Sequence, residues 1–321
     1  RGAADVPDPR IDAIADVQDI PRRVPAQVQL VDIAGLTTGA GRGEGVGGAA
    51  LGALRQTDAL VHVIRAFANA EVPHPDERVD PLADAEAVDL ELITADAAQI
   101  ERRLERVVKT ARSGDPEAKA ELAELETLRA QLDEGRPARG SDDADARRRG
   151  DEMGLLTSKP VLYVVNTDEP GPPPQEILDH AAAQGAQAMA LPVGVELELA
   201  EMAPEDAAEL AAELELGDER GGPAVVEAAY RLLDLVTFFT GSGPPEARAW
   251  PIPRGTTADR AAGKIHSDLE RGFIRAEVVA WEDLVEAGSF AKARESAKLQ
   301  MEGKDYVVRE GDVLQIRFNV S

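Results

Sequence analysis

The 321-residue sequence contains no cysteine, which excludes disulfides and thiolate metal sites. Only 3% of the residues are aromatic, and 7 lysines stand beside 28 arginines. No apolar run reaches the length of a membrane span, and no secretory signal is visible, so we expect a cytoplasmic protein with no membrane partner. The net charge of −25 argues against non-specific binding to nucleic acid and against DNA as a partner.

The acidic excess is unevenly distributed along the chain. Residues 1–92 hold 8 basic and 16 acidic residues, and 151–236 hold 3 and 18. Residues 93–150 and 237–321 each hold 12 basic and 13 acidic residues. This pattern indicates an acidic core with two nearly neutral, arginine-rich appendages, for which contact with RNA stays open.

A short strand followed by a glycine-rich segment is the most informative stretch. Val28–Val31 is an alternating, β-branched run that predicts a strand ending on Asp32. Gly35 follows, and residues 39–48 contain six glycines. A carboxylate at the end of a buried strand, followed by pliable backbone, is typical of the Mg²⁺ side of a phosphate-binding nucleotidase site.

Two continuous apolar runs, 59–64 and 160–165, predict parallel strands that are buried on both faces. The first leads into Arg65-Ala66-Phe67, and the second leads into Asn166-Thr167-Asp168-Glu169. Ligands of open α/β sheets bind at the carboxyl ends of such strands, so both segments are candidate site residues.

Apolar residues at alternating spacings of four and three predict an antiparallel, coiled-coil-like helical hairpin between these strands. The seam consists of Ile93, Ala97, Ile100, Leu104 and Val107 in the first helix and Leu122, Leu125, Leu128 and Leu132 in the second. Gly114 ends one helix, Asp115 caps the next, and Pro116 occupies its first turn. The return through 140–150 is expected to be polar and disordered.

The remaining sequence predicts helices and then a small mixed domain. Helices are expected over 196–214 and 224–235. Past residue 237 we expect one helix, 258–270, and strands over 247–252, 274–280, 306–308 and 313–320, as in a β-grasp domain. The predicted domains are a nucleotide-binding core (1–92 and 151–236), a helical insertion (93–150) and the C-terminal domain (237–321).

Several of these features together resemble the Obg-like ATPase (YchF) family. They are Asp32-Ile33-Ala34-Gly35 before the glycine-rich segment, the 166–169 box, the inserted hairpin, and the C-terminal runs 273–278 and 302–306. The resemblance implies a P-loop-type, mostly parallel sheet that is incomplete at its N-terminus, with an inserted antiparallel coiled coil and a TGS-like β-grasp domain. It also implies ATP and Mg²⁺ as cofactors and the ribosome with its rRNA as partner. We expect the chain to be a monomer.

The resemblance also implies roles for individual residues. Nucleotide contacts are expected from Asp32, Ile33, Ala34, Gly35, Phe67, Asn166, Thr167, Glu169, Val193 and Gly194, with Asp32 also facing the metal. His74 is the candidate catalytic group, because Leu36 stands where related enzymes place a glutamine that orients water. The alternative for His74 is a solvated loop histidine, and the alternative for the 166–169 box is a polar strand exit.

Guanine-specific relatives read the base with Asn-Lys-x-Asp, whose aspartate accepts two N–H groups of guanine. Here Thr167 replaces the lysine and Glu169, one methylene longer, replaces the aspartate. These residues favour ATP over GTP, by resemblance to the family as much as by their chemistry. Gly43-x-Gly45-x-x-Gly48 is formally a dinucleotide fingerprint, but its first glycine does not follow a strand directly, so a dehydrogenase is disfavoured.

One departure from the family pattern limits the expected activity. No G-x-x-x-x-G-K-[ST] loop occurs in the 321 residues, so the phosphate-binding lysine and the Mg²⁺-binding hydroxyl of that loop are missing. We expect this chain to bind nucleotide weakly and not to hydrolyse it. The alternative is a non-catalytic ribosome- or protein-binding module, and a G-x-x-x-x-G-K-[ST] loop encoded upstream of Arg1 would favour the ATPase instead.

Arginines of the helical insertion are the candidates for rRNA phosphate contact. They are Arg102, Arg103, Arg106, Arg112 and the run Arg147-Arg148-Arg149. For the first four, a solvated helix face with paired glutamates is the simpler interpretation.

Overall fold

The computed structural model describes residues 2–33, 48–74, 78–217, 220–241 and 245–319. Its strands are β1 (Gly2–Asp5), β2 (Arg22–Val24), β3 (Gln27–Leu30), β4 (Leu60–Ala66), β5 (Val161–Thr167), β6 (Gln187–Leu191), β7 (Leu235–Thr240), β8 (Glu246–Pro253), β9 (Phe273–Ala280), β10 (Gln300–Glu302) and β11 (Asp312–Phe318). Its α-helices are α1 (Arg10–Val17), α2 (Gly48–Arg55), α3 (Pro81–Arg112), α4 (Pro116–Asp133), α5 (Ala144–Glu152), α6 (Gln175–Ala183), α7 (Val193–Glu201), α8 (Pro204–Glu213), α9 (Gly221–Leu232), α10 (Ala258–Ile265), α11 (Ser267–Arg271), α12 (Trp281–Ala287) and α13 (Phe290–Glu295). In this part of the chain, no helix is both long and apolar enough to cross a membrane.

The chain divides into two compact units, a central unit (32–225) and a terminal unit (1–31 with 226–321). The sequence places 1–31 with the nucleotide-binding core, but in the structure this segment contacts the C-terminal part. The reason is that β2 pairs in parallel with β8, and Ile14 of α1 packs in one core with Phe239. The functional division into core, insertion and C-terminal domain stays a prediction.

The central unit contains a parallel sheet in the order β4-β5-β6. This confirms the α/β fold class and the two predicted parallel strands. Residues 161–165 of β5 are buried throughout, as expected for the middle strand. The prediction that β4 is buried on both faces was wrong, since Val63 is 65% exposed. Val63 lies in the edge strand of the sheet, on the face opposite the one on which α3 packs.

The strand before Asp32 differs from the prediction in its partner and its burial. β3 pairs antiparallel with β1 in a two-stranded sheet, with Ala4 opposite Val28. Three of its four residues are exposed, because a two-stranded ribbon covers little of its own surface, and only Val28 reaches the core of the terminal unit. The expectation of a buried strand was therefore wrong.

The predicted helical hairpin is present as α3 and α4. Ile100, Leu125 and Leu128 are fully buried between the helices, and the Arg103–Glu121 ion pair fixes an antiparallel register. Asp115 accepts a hydrogen bond from the backbone N–H of Ala118, as its capping role requires.

The return from the hairpin is helical, which corrects the expectation of a disordered segment over 140–150. Asp143 caps α5 by accepting from two backbone N–H groups, and Ala146 is buried against the hairpin. Gly150 permits a close approach, because a Cβ there would lie 2.4 Å from the Ser158 hydroxyl. The sequence analysis missed helix α5 because the segment is polar and the helix packs through few apolar residues.

The terminal unit is built on a mixed sheet in the order β10-β9-β11-β7-β8-β2. Consecutive residues of one strand enter different cores: Phe238 packs on one face of the sheet and Phe239 on the other. Because β7 is buried on both faces, it shows no polar alternation, and the sequence assigned its first residue, Leu235, to a helix.

Three predicted elements are interrupted or absent. The helix predicted over 196–214 is broken between α7 and α8, where Pro204 starts a new helix. The helix over 258–270 is broken at His266, which is extended and whose ring accepts from the N–H of Asp268. The strand over 306–308 reduces to one bridge between Val307 and Thr257.

A buried carboxylate attaches the hairpin to the parallel sheet. Asp96 of α3 is fully buried and accepts hydrogen bonds from the backbone N–H groups of Leu156 and Thr157 and from the Thr157 hydroxyl. An Arg55 guanidinium nitrogen lies 3.6 Å from the same carboxylate. Burial raises the pKa of Asp96, and these hydrogen bonds with the Arg55 charge act against that rise.

Asp96→Ala is predicted to destabilise the protein by about 3 kcal/mol, because it leaves buried N–H groups without an acceptor and removes the carboxylate that faces the partly buried Arg55 guanidinium. Urea unfolding at neutral pH measures the change. The matched control is Glu105→Ala on an exposed position of α3, which should change the free energy of unfolding by less than about 0.5 kcal/mol. Equal stabilities of the two variants would contradict the anchoring role.

Candidate functional site

The candidate site lies where the three parallel strands end. Arg65 of β4 is in register with Asn166 of β5, and Asn166 is in register with Leu191 of β6. The segments that follow these residues therefore emerge side by side at one edge of the sheet. They contain Phe67, the 166–169 box and Val193, which the sequence had selected separately.

Arg65 organises the loop that follows β4. Its guanidinium lies 4.5 Å from the centre of the Phe67 ring and donates to the Phe67 carbonyl at 3.2 Å. It also donates to the carbonyls of Asn69 and Val72, at 3.0 and 2.9 Å. One side chain thus holds the loop and covers one face of its aromatic ring.

Two hydrogen bonds join the three loops to each other. The backbone N–H of Ala68, next to Phe67, donates to Asp168 Oδ2 at 3.0 Å. The backbone N–H of Val193 donates to Asn166 Oδ1 at 3.3 Å. The structure therefore brings Phe67, Asn166 and Val193 into one constellation.

The other base-side candidates lie in the same constellation. Thr167 donates its hydroxyl to the Glu169 carbonyl at 2.8 Å and so closes the box on itself. Glu169 is exposed, and its carboxylate has no partner among the described residues. Val193 and Gly194 begin helix α7 directly, so their N–H groups lie at a helix N-terminus and not in an extended loop.

The residues of the expected phosphate side are only partly described. Asp32 is exposed, and Ile33 packs on the same core as Leu51 of α2 and Ile64 of β4. This places both ends of the glycine-rich segment in the central unit. Ala34, Gly35 and the glycines up to residue 47 lie outside the described residues.

Within the described residues, no group of three or more histidine, aspartate or glutamate side chains is placed to hold a metal ion. Mg²⁺ in nucleotide sites commonly takes one or two carboxylates, with water and phosphate oxygens as its other ligands. A single exposed carboxylate, Asp32, fits that kind of site. It does not fit a metal site made by the protein alone.

The candidate catalytic group, His74, is attached to helix α3. Its Nε2 lies 3.0 Å from Asp84 Oδ2, and both side chains are largely buried. Asp84 lies in the first turn of α3, so this contact joins the segment that begins at Phe67 to that helix. This contact fixes the imidazole, and its catalytic role stays a prediction.

Sequence reasoning missed the roles of Arg65 and Asp168. Both lay within the segments that the strand ends had marked, but neither belongs to the set expected to contact nucleotide. The hydrogen bond between Ala68 and Asp168 joins residues 100 positions apart. For Arg65, the available signal was an arginine two residues before an aromatic residue, Phe67, at a strand end.

Comparison with known proteins places this chain among characterised relatives. The family model YchF-GTPase_C, described as a protein of unknown function (DUF933), matches residues 235–319. The Ribosome-binding ATPase YchF of Escherichia coli O157:H7 is 41% identical over 324 residues, which cover 99% of this chain and 89% of the relative. The protein of the same name from Bacillus subtilis is 40% identical, with the same coverage.

Two eukaryotic proteins give the same result. Obg-like ATPase 1 of Oryza sativa subsp. japonica is 37% identical over 98% of this chain and 82% of its own length. The solved structure of the Schizosaccharomyces pombe YchF GTPase superposes with a TM-score of 0.86 at 32% identity, covering 98% of this chain and 86% of that one. With such identity over nearly its whole length, this chain belongs to the YchF/Obg-like ATPase family.

Proposed function

We propose that this chain supplies the base-binding and ribosome-binding parts of an adenine-preferring, ribosome-associated ATPase. The observation that carries the proposal is the joining of the Phe67 loop, the 166–169 box and the start of α7 by two hydrogen bonds. Three loops held at the carboxyl ends of parallel strands make the kind of crevice in which α/β proteins bind nucleotides.

Adenine preference follows from the chemistry of the box. The amide N–H₂ group of Asn166 has no partner among the described residues, so it is available to a purine N7. The exposed Glu169 stands in place of the aspartate that guanine-specific relatives use. The printed names of the relatives include both ATPase and GTPase, and this substitution favours the former.

The phosphate side of the proposed site rests on Asp32. When a nucleotide brings Mg²⁺, the metal neutralises phosphate charge, and Asp32 would hold it through water. Ile33 fixes the backbone beside that carboxylate by packing on the core of the central unit. Ala34 and Gly35 complete the proposed nucleotide contacts.

Ribosome association is proposed because the bacterial relatives carry the name ribosome-binding ATPase. It implies a cytoplasmic protein, which we propose to be a monomer with a TGS-like C-terminal domain and a coiled-coil insertion. The competing function is a non-catalytic ribosome- or protein-binding module. The missing G-x-x-x-x-G-K-[ST] loop favours that alternative for the 321 residues alone.

Nucleotide binding is predicted to depend on an added phosphate-binding segment. The 321-residue chain should bind ATP with a Kd weaker than about 1 mM, because its sequence has no G-x-x-x-x-G-K-[ST] loop to present a lysine and a backbone nest to the phosphates. A fusion that places the strand, loop and helix of the E. coli relative ahead of Arg1 should bind at least about tenfold more tightly. Calorimetric titration measures both. Tight ATP binding by the unfused chain would contradict the phosphate-site assignment.

Base selectivity is predicted to follow residues 167 and 169. In the fusion, Thr167→Lys with Glu169→Asp should shift the ATP-to-GTP affinity ratio toward GTP by about tenfold or more, because a bidentate acceptor for guanine is restored. Competition titration gives the ratio. Glu176→Asp on α6 is the control for the second substitution, since it makes the same glutamate-to-aspartate change outside the box. An unchanged ratio would exclude residues 166–169 as the base-reading segment.

His74→Ala in the fusion is predicted to lower kcat by about 100-fold with little change in ATP affinity, as expected if the imidazole orients the attacking water. Asp84→Asn should give a smaller loss, because it keeps a hydrogen-bonding partner for the ring. Steady-state phosphate release measures both. Full turnover by His74→Ala would show that this histidine only anchors the loop to α3.

A further inference from the structure

A second group of polar side chains packs between the parallel sheet and the helices α3 and α6. We call it the Asp89 cluster, and it consists of His62 of β4, Asp89 of α3, Tyr163 of β5 and His180 of α6. His62 and Tyr163 lie opposite each other in the sheet, three residues before Arg65 and Asn166 of the candidate site. The cluster therefore supports the two strands that carry this site, although it contributes no proposed nucleotide contact.

One carboxylate oxygen of the cluster joins three elements. Asp89 Oδ2 accepts a hydrogen bond from the Tyr163 hydroxyl at 2.6 Å and lies 2.8 Å from His180 Nε2. The side chains of Asp89 and His180 are each only 10% exposed. Arg139, which donates to the Gln184 carbonyl at 2.8 Å, faces Asp89 and Tyr163 with its positive charge. Helix α3 is thus held against β5 and α6 by polar contacts that are shielded from water.

His62 lies in the same cluster without a comparable partner. Its ring packs on that of Tyr163, with 5.6 Å between the ring centres. Its Nδ1 atom is buried and has no hydrogen-bond partner among the described residues. A neutral imidazole keeps one nitrogen as an acceptor, whereas both nitrogens of a charged imidazole are donors. Protonation of His62 therefore places a buried N–H group where no acceptor lies, which is unfavourable.

The surroundings of His62 make the fold sensitive to acid. Burial lowers the pKa of His62, a charged His180 adds to this effect, and the negative charges of Asp89 and Asp84 act against it. A histidine whose pKa is lower in the folded state stabilises the fold above its unfolded pKa of about 6.5. That contribution is lost as the pH falls below this value, because the unfolded chain then binds the proton more readily.

Helix α3 also holds the candidate catalytic group. Asp84, five residues before Asp89 on this helix, lies 3.0 Å from His74 Nε2. Both aspartates attract a proton on His62. A charged His62 therefore competes with the partners that the two carboxylates hold while it is neutral.

We propose that the Asp89 cluster is an acid-sensitive switch for the candidate site. While His62 is neutral, α3 is held against the sheet, and protonation of His62 releases α3 together with the segment 67–74 that is attached to it. The expected consequence is lower turnover in acid, because His74 is displaced. This consequence rests on the proposed function, whereas the release itself depends on contacts within the chain alone.

Hydrogen exchange measured by mass spectrometry tests the release in the 321-residue chain without nucleotide. Protection of the first turns of α3, residues 81–92, should fall at least about tenfold between about pH 7.5 and about pH 5.5, after correction for intrinsic exchange. His62→Phe keeps a ring against Tyr163 but cannot be protonated, so its protection should change by less than about twofold. The control His266→Asn removes the histidine of the terminal unit, keeps a helix-capping acceptor and should respond as wild type does.

A titration of the wild-type chain by NMR provides the second measurement, which does not depend on the folding of His62→Phe. The chain has four histidines, so the imidazole C–H signal of His62 can be assigned by elimination with His74→Ala, His180→Gln and His266→Asn. This signal should titrate below about pH 6.5, at the same midpoint as the loss of protection in α3. Release of α3 while His62 is still neutral, or an equal acid response in wild type and His62→Phe, would overturn the proposal.

Turnover by the fusion with the phosphate-binding segment separates this inference from the proposed function. The kcat of His62→Phe divided by that of wild type should be near one at about pH 7.5 and at least about threefold higher at about pH 5.5. The ratio cancels acid effects that both proteins share. A constant ratio in an active fusion would overturn the proposal. A fusion that hydrolyses no ATP would reject the proposed function, and hydrogen exchange would still decide whether the Asp89 cluster releases α3.

Discussion

The hydrogen bond from the Ala68 N–H to Asp168, with its counterpart from the Val193 N–H to Asn166, holds the candidate site together. The strands of a parallel sheet bring their carboxyl ends near one another, but they do not fix the loops beyond. Here the loops that follow β4 and β6 are each hydrogen-bonded to a side chain at the carboxyl end of β5, Asp168 and Asn166 respectively. Because β5 is the middle strand and is buried on both faces, residues 166–169 are well placed to reach the loops on either side.

A second constraint connects this sheet to the helical hairpin. The Asp96 carboxylate, buried in the middle of α3, accepts hydrogen bonds from the turn before β5 and faces Arg55 at the end of α2. Lys159, beside that turn, donates to the carbonyl of Arg55 at 3.2 Å. The helix that follows the glycine-rich segment, the hairpin and the central strand therefore share one polar junction.

Local rules predicted much of this fold. Asp115 and Pro116 marked a helix start, the apolar seam marked the hairpin, and continuous apolar runs marked β4 and β5. The prediction errors arose where contacts between residues far apart in the sequence determine the structure. Residues 1–31 join the C-terminal part through strand pairing, and α5 forms around Ala146 despite its polar sequence. The break before Pro204 was visible locally but was outweighed by the amphipathic pattern on both sides.

The sequence predicted which strand ends carry the candidate site, but it did not predict the contacts that join the residues there. Asn166, Phe67 and Val193 were each selected by position, whereas the roles of Arg65 and Asp168 depend on carbonyl and N–H groups that no sequence spacing displays. The same limit applies to the arginines of the insertion. Which of them are free is decided by the positions of Glu121, Glu124 and Glu152 across three helices.

The central claim is that one purine nucleotide and its Mg²⁺ join Asp32 to the 166–169 box. The most direct measurement is a crystal structure of the chain, extended by a phosphate-binding segment, with a non-hydrolysable ATP analogue and Mg²⁺. The account predicts adenine against Asn166 and Phe67, with the metal on the Asp32 side of the phosphates. A nucleotide bound at another surface, or a base that points away from Asn166, would contradict it.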